Sequence, residues 1–255
     1  MLALIEGMAE GIGQVTANLG ESFIYIWERR IHSAHVAQQV ASIGFDSLPI
    51  ALIINLVSGC VLALNAADKF AMTGATAYVG SLVAMATVRE MAPIFTALGV
   101  GARAGTAISA EIANMGVTNQ LDALQVMRVS PIRYLMVPRV LACIICMPMM
   151  TLLSEAVGIL GAMIVTQAEA HIHYAMFLDS VWLSLKWYDI EISLIKAVVF
   201  GIILAGISVT VGLNTKGGAR QVGLATTQAT VWTAICVLIA DFLMTWMFFG
   251  TSFVN

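Results

Sequence analysis

The chain has 255 residues, of which 60% are hydrophobic and 11% are charged, and its mean hydropathy is +0.91. Soluble domains contain roughly 45–50% apolar and about 25% charged residues, so this composition argues against a soluble protein and indicates a membrane protein with several spans. The formal net charge of −3 argues against nucleic acid as a partner, because binding it requires a basic face.

The first 44 residues have the pattern of amphipathic helices. Apolar side chains recur at steps of three and four over residues 1–20, and a second such segment covers residues 23–34. This spacing forms one apolar stripe on a helix, and we expect both helices to lie on the membrane surface. Packing against a partner protein is the alternative. The first 28 residues contain no Lys or Arg, so we expect no signal peptide.

Five long apolar runs follow, and each predicts a transmembrane helix. About 20 helical residues cross the hydrocarbon core of a bilayer, so the expected fold is an all-α integral membrane protein. The five runs cover residues 48–64, 77–100, 140–166, 192–213 and 231–249.

Basic residues in the connections predict the orientation of the chain, since cytoplasmic loops carry an excess of Lys and Arg. A cytoplasmic N-terminus leaves Lys69 and Lys186 on the far side and eight basic residues on the cytoplasmic side. We therefore predict a cytoplasmic N-terminus and a periplasmic C-terminus. The eight residues are Arg29, Arg30, Arg103, Arg128, Arg133, Arg139, Lys216 and Arg220.

Five ionisable residues fall inside the predicted spans: Arg89, Glu90, Glu155, Lys196 and Asp241. A charge at the centre of a membrane helix costs about 2.5–3.5 kcal/mol on insertion scales, so these side chains should face a bundle interior or a wet cavity. Arg89 and Glu90 are adjacent and project in different directions from a helix. At least one of them therefore needs a partner on another helix or a polar ligand.

Pro93 follows shortly after this pair and removes a backbone hydrogen bond, which predicts a kink. A kinked and charged span could form one wall of a substrate cavity. The chemistry alone leaves a second interpretation equally open, in which the charges form a structural ion pair that locks helices together.

A more polar connector, residues 101–139, joins the second and third spans. Thr118 is the expected N-cap of a short helix, Asp122 lies near the positive end of that helix, and Ser130–Pro131 ends it. Such a helix is suited to dock into a groove on another protein, although it could also lie on its own bundle. Its apolar side consists of Leu121, Leu124 and Met127.

Few residues suggest catalysis or a metal site. His171 and His173 are separated by one residue in a connection, and we expect them to be surface residues. Cys143 and Cys146 lie in an apolar run, where we expect packing residues. The sequence lacks the G-x-x-x-x-G-K-[ST] phosphate loop, so ATP hydrolysis would belong to another chain.

Several ordered stretches resemble the MlaE-type permease family, whose members are the membrane subunits of ABC lipid transporters that work with MCE-domain proteins. The main signature reads ARAGTAISAEIANMGVTNQLDAL and then SPIRYLMVPR, preceded by VREMAPIFTALGVGARAG. LIKAVVFG and ADFLMTWMFFG continue the resemblance, which covers roughly residues 45–250.

The resemblance implies a homodimeric permease of five spans per subunit in a bacterial inner membrane. It implies a separate cytoplasmic ATPase, which would hold ATP and Mg²⁺, so that this chain needs no cofactor of its own and is not an enzyme. It also implies a periplasmic MCE-domain protein as a conduit toward the outer membrane, with phospholipid or a related lipid as cargo. Residues 1–44 would be interfacial helices and residues 45–255 the permease domain, with its coupling region at 103–131.

The resemblance also assigns residue roles. Arg89, Glu90 and Pro93 would belong to the lipid cavity, while Lys196 and Asp241 would be structural charges. The residues expected to dock the ATPase are Glu111, Met115, Thr118, Gln120, Leu121, Asp122 and Met127.

Two residues depart from the family pattern. Asn119 stands where the family commonly has an acidic residue, and Glu155 has no assigned role. A proton-driven secondary transporter that uses Glu90, Glu155 or Asp241 is the alternative function, because buried carboxylates often relay protons. An intramembrane enzyme would need a nucleophile–base set or a metal site.

Overall fold

The computed structural model describes residues 2–28 and 33–250, and it describes side chains over residues 11–28, 33–72 and 74–250. Within these ranges the regular structure is helical and contains no strand, which confirms the predicted all-α fold. Arg29, Arg30 and Ile31 of the sequence predictions lie outside the described residues.

Over the described part of the chain, five helical stretches are long and apolar enough to cross a membrane. Each contains one predicted run and extends beyond it, because a helix keeps its backbone hydrogen bonds satisfied through the flanking polar residues. The stretches are Ser33–Met72, Thr76–Val117, Ile132–Ala170, Trp187–Asn214 and Ala219–Phe249.

The N-terminal part begins with α1, Leu2–Trp27, and continues with α2, Ser33–Val40. A π-helical turn, Ala41–Phe45, precedes α3, Leu48–Thr73. Gly74 ends α3 with a φ of 71°, a left-handed conformation that glycine adopts without steric cost.

The second span is a helix interrupted by two π-helical turns. Its segments are α4 (Val79–Ala86), the turn Thr87–Met91, α5 (Ala92–Val100), the turn Gly101–Gly105 and α6 (Thr106–Val117). The predicted connector begins at residue 101, and the chain stays helical beyond that residue as far as Val117.

The short connector helix α7 covers Gln120–Val126. Thr118 is not its N-cap, contrary to the prediction, since the Thr118 hydroxyl donates to the carbonyl of Asn114 in the preceding helix. Asn119 occupies the N-cap position with a φ of 59°. Asn tolerates this left-handed conformation better than most residues do, which gives a backbone reason for Asn at this position.

The Ser130–Pro131 pair was predicted to end the short helix, but the helix ends earlier and Pro131 instead begins the next helical segment. A π-helical turn, Ile132–Met136, leads into α8, Val137–Ala170. Proline suits the first position of a helix because its missing N–H has no partner there. The remaining helices are α9 (Tyr174–Ser184), α10 (Trp187–Asn214) and α11 (Ala219–Phe249).

The chain packs as two compact units. The first comprises Met1–Asp46, Val100–Cys146 and Gly201–Val237. Its buried apolar side chains include Ile112, Met136 and Leu204.

The second unit comprises Ser47–Gly99, Met147–Phe200 and Leu238–Asn255. Its apolar core joins α3, α4, α8 and α9 around Val79, Val83 and Phe177. Gly80 faces the carbonyl of Phe177 so closely that a Cβ atom would lie 2.5 Å from that oxygen, so the contact requires glycine.

Candidate functional site

Lys196 is the centre of a charged network in the second unit. Its side chain is fully buried on α10, and its Nζ lies 2.9 Å from Glu90 Oε2 and 2.8 Å from Asp241 Oδ1. The ammonium also reaches Thr245 Oγ1 at 2.7 Å and the carbonyl oxygen of Arg89 at 2.8 Å. A buried ammonium needs such acceptors for its three N–H groups, and here they come from the second and fifth spans.

Thr245 connects the partners of Lys196 to one another. Its hydroxyl lies 3.0 and 3.1 Å from the two carboxylate oxygens of Glu90. The hydroxyl can donate to Glu90 while accepting from Lys196. Glu90 is therefore held by two side chains, although 35% of its own side chain is still exposed.

Arg89 forms a third ion pair in the same unit. Its Nε and Nη2 atoms both lie 2.9 Å from Asp189 Oδ1. The guanidinium also stands 4.4 Å from the ring centroid of Phe249, within the range of a cation–π interaction. The Asp189 side chain is 1% exposed, whereas that of Arg89 is 27% exposed.

The adjacent residues Arg89 and Glu90 thus have different partners, as their angular separation on a helix requires. The π-helical turn that contains them also changes the local direction of the side chains. Pro93 follows in α5 and is buried in its own unit.

Glu155 belongs to a more buried set of polar side chains in the second unit. Its carboxylate accepts a hydrogen bond from Ser193. Nearby in sequence, Ser154 accepts from Thr96 at 3.0 Å, and Thr96 accepts from Asn55 at 3.3 Å. These hydrogen bonds connect α3, α5, α8 and α10. They satisfy polar groups that have no water to bind within a membrane.

The predicted docking residues lie in the first unit, where α7 offers an exposed apolar end. Val126 is 84% exposed and Met127 is 64% exposed. Leu121 and Leu124 are half-buried, and Leu121 lies over Gly116 of the preceding helix. The two leucines therefore face their own chain, while Asp122, Thr118 and Gln120 are exposed.

A polar pocket of about 400 Å³ adjoins this region within the first unit. Glu111, Met115 and Gln120 line it together with Tyr134 and Arg139. The structure therefore brings three of the seven predicted docking residues to one pocket.

Arg139 braces the wall of this pocket. Its side chain is 3% exposed, and its Nη2 lies 2.6 Å from Glu111 Oε2. Its Nη1 donates to the carbonyl of Leu135 at 2.8 Å. The Glu111 side chain is 58% exposed, so the pair leaves a carboxylate at the pocket surface.

Sequence reasoning missed Asp189, Thr245 and Phe249. Asp189 lies just before the fourth apolar run, and an acid at that boundary was a usable signal. Thr245 and Phe249 carry no comparable signal, because uncharged residues are common in a final span.

The cysteine and histidine pairs form no metal centre in the part of the chain that the structure describes, where no three His, Cys, Asp or Glu residues are grouped to hold an ion. Cys143 and Cys146 are buried free thiols. His171 and His173 lie in the connection between α8 and α9.

Comparisons with known proteins agree with the resemblance. The chain matches the family described as Permease MlaE over residues 36–247. It is 38% identical over 234 residues to a probable ABC transporter permease protein of Synechocystis, covering 91% of this chain and 89% of the relative. A probable ABC transporter permease protein of Rickettsia felis is 38% identical over 214 residues, covering 84% and 83% of the two chains.

A plant relative, Protein TRIGALACTOSYLDIACYLGLYCEROL 1, chloroplastic, of Arabidopsis thaliana, is 34% identical over 230 residues. The match covers 90% of this chain and 66% of the plant protein. These matches extend over most of the described spans. The chain therefore belongs to the MlaE permease family and is a multi-pass permease of the ABC transporter type.

Proposed function

We propose that this permease moves phospholipid, or a related lipid, between a bacterial inner membrane and an MCE-protein conduit that leads toward the outer membrane. It would act as a homodimer, with ATP hydrolysed by a separate cytoplasmic subunit. The observation that carries the proposal is the charged network around Lys196, which combines fully buried charges with partly exposed ones inside apolar spans.

The exposed part of this network suits the head group of an amphiphile. The Arg89 guanidinium can receive a phosphate, for which its donor geometry is favourable. The Glu90 carboxylate can receive a hydroxyl or an ammonium group. Asp189 pairs with Arg89, and Lys196 pairs with Glu90. Both side chains are therefore already ordered, and a ligand that binds them pays a smaller entropy cost.

The relatives favour a lipid cargo over other amphiphiles. The name of the Arabidopsis relative contains that of a glycolipid, and the family is that of MlaE. A lipid cargo also explains why charged residues stand in membrane spans, since the polar head group of a lipid needs a polar path.

The ATPase would dock on α7 and the polar pocket beside it. Val126 and Met127 offer apolar contact, and Glu111 and Gln120 offer hydrogen-bonding groups near Arg139. The sequence contains no phosphate loop, which supports a separate subunit as the ATPase. The excess of basic residues in the connections supports a cytoplasmic position for α7.

A transfer assay with the whole complex tests the lipid function. The complex is purified in mild detergent, its proteins and lipids are identified by mass spectrometry, and it is reconstituted in proteoliposomes containing fluorescent phospholipid. ATP-dependent exchange of this lipid with the purified MCE protein is then measured.

We expect co-purified phospholipid, an ABC ATPase and ATP-dependent transfer. Arg89→Ala should lower the transfer rate by roughly tenfold to a hundredfold, the effect of losing a hydrogen bond to a charged group. Lys186→Ala is the matched control, because it also removes a cationic side chain and Lys186 is exposed. Normal transfer by an assembled Arg89→Ala complex would disprove the cavity role. A transfer rate that does not depend on ATP but falls when a proton uncoupler is added would favour the secondary transporter.

A further inference from the structure

Phe249, the last residue of α11, lies against the guanidinium of Arg89 in the second unit. The central carbon of the guanidinium stands 4.4 Å from the centroid of the ring. Thr245, one turn earlier on the same helix, forms hydrogen bonds with Glu90. The end of α11 therefore contacts both of the partly exposed charged side chains to which the proposed function gives the lipid head group.

The ion pair with Asp189 does not by itself fix the plane of this guanidinium. Nε and Nη2 of Arg89 both lie 2.9 Å from one and the same oxygen, Oδ1. Two parallel bonds to two different carboxylate oxygens would hold the plane. The second oxygen, Oδ2, instead accepts from the backbone N–H of Lys186 at 3.0 Å. The guanidinium can therefore turn about Oδ1 unless another group holds it.

The ring of Phe249 supplies this second support. It covers one face of the guanidinium, and the negative potential of an aromatic face attracts a cation placed there. The ring also contacts Tyr188 edge to face, with the centroids 6.3 Å apart and the planes at 77°. Tyr188 and Asp189 are adjacent in the first turn of α10, so one turn supports both groups that hold Arg89.

These contacts leave one edge of the guanidinium open. Asp189 occupies the edge formed by Nε and Nη2, and Phe249 occupies one face. Nη1 has no hydrogen-bond acceptor among the residues that the structure describes. The second N–H of Nη2 points along the same edge as Nη1, because the guanidinium is planar. The open edge thus presents two parallel N–H groups, the arrangement that suits a phosphate.

We propose that Phe249 is a positioning residue for the phosphate of a lipid head group and acts through Arg89. It fixes the plane of the guanidinium so that the edge formed by Nη1 and Nη2 stays open to the ligand. This inference rests on the proposed function, because it takes a phosphate-bearing lipid as the molecule that Arg89 binds. It adds that the aromatic ring of Phe249, rather than its volume, sets the affinity for that phosphate.

Equilibrium binding of two fluorescent lipids tests this role. The purified complex in dodecyl maltoside is titrated with phosphatidylglycerol and with diacylglycerol, which carry the same fluorescent acyl chain and differ in the phosphate head group. The ratio of the two dissociation constants measures the preference for the phosphate-bearing lipid. A variant that only loosens the fold should weaken the binding of both lipids alike and leave this ratio unchanged.

Phe249→Leu should reduce the preference for phosphatidylglycerol about fivefold, the effect of having to order one arginine side chain on binding. Phe249→Tyr should retain the preference, because it keeps an aromatic face. Phe249→trifluorophenylalanine nearly keeps the shape of the ring but weakens its negative potential, so it should give a smaller loss in the same direction. Phe242→Leu is the matched control, because Phe242 is 69% exposed on the same helix, and it should leave the ratio unchanged.

Arg89→Ala separates this inference from the proposed function. If Arg89→Ala reduces the preference but Phe249→Leu does not, the positioning role is wrong and the head-group role of Arg89 stands. If Arg89→Ala leaves the ratio unchanged, both are wrong. A loss with Phe249→Leu that the fluorinated ring does not reproduce would show that volume holds Arg89, and it would also overturn the proposal.

Discussion

At the scale of single residues, the network around Lys196 shows how a membrane span tolerates charge. Its ammonium has two carboxylate partners, Glu90 and Asp241, and Arg89 has a third, Asp189. Each pair reduces the cost of holding a charge away from water, but neither partner can be removed alone without leaving the other unpaired.

Lys196→Met should therefore destabilise the chain strongly. Removing one member of a buried ion pair typically costs about 3–5 kcal/mol, so the thermal unfolding temperature of the purified complex should fall clearly. Lys186→Met is the control, because Lys186 is exposed and such changes usually stay within about 0.5 kcal/mol. Adding Asp241→Asn to Lys196→Met should restore part of the loss. Equal unfolding temperatures for the two Lys variants would contradict this account.

At the scale of elements, α7 separates two kinds of apolar residue. Leu121 and Leu124 are half-buried against their own chain, whereas Val126 and Met127 project outward. The sequence grouped Leu121, Leu124 and Met127 on one side of a helix, but it could not show which of them the rest of the chain covers.

Val126→Asp should release the ATPase without damaging the permease. The introduced carboxylate would have to lose its water in an apolar contact, and loss of an interface anchor typically costs about 2 kcal/mol or more. The ratio of ATPase to permease after affinity purification measures this effect. Val126→Leu is the control, because it keeps an apolar side chain at this position. Leu121→Asp should instead lower the unfolding temperature of the permease itself. An unchanged ratio for Val126→Asp would remove α7 from the docking surface.

At the scale of the whole molecule, the orientation in the membrane can be tested with single cysteines. Lys216 and Lys69 are both exposed, and the basic-residue pattern assigns them to opposite sides of the membrane. In a background with Cys60→Ala and Cys236→Ala, a membrane-impermeant maleimide should label Lys69→Cys in spheroplasts. It should label Lys216→Cys only in inverted vesicles. The opposite result would reverse the proposed orientation.

Local patterns in the chain are sufficient to predict the spans and the family of this protein. A run of about 20 apolar residues predicts a span from local composition alone, since each backbone polar group is satisfied within its own helix. The signature around Asn119 and Asp122 likewise lies in one continuous stretch. It therefore identifies the MlaE family without any knowledge of how the helices pack.

The pairing of the charges could not be predicted in this way. Arg89 and Asp189 are 100 residues apart in the chain, and so distant a pair depends on how the helices pack. The same holds for Asn18, whose Nδ2 donates to Thr210 Oγ1 at 3.1 Å. A linear pattern shows that a buried charge needs a partner, but the identity of that partner depends on distances that arise only when the helices come together.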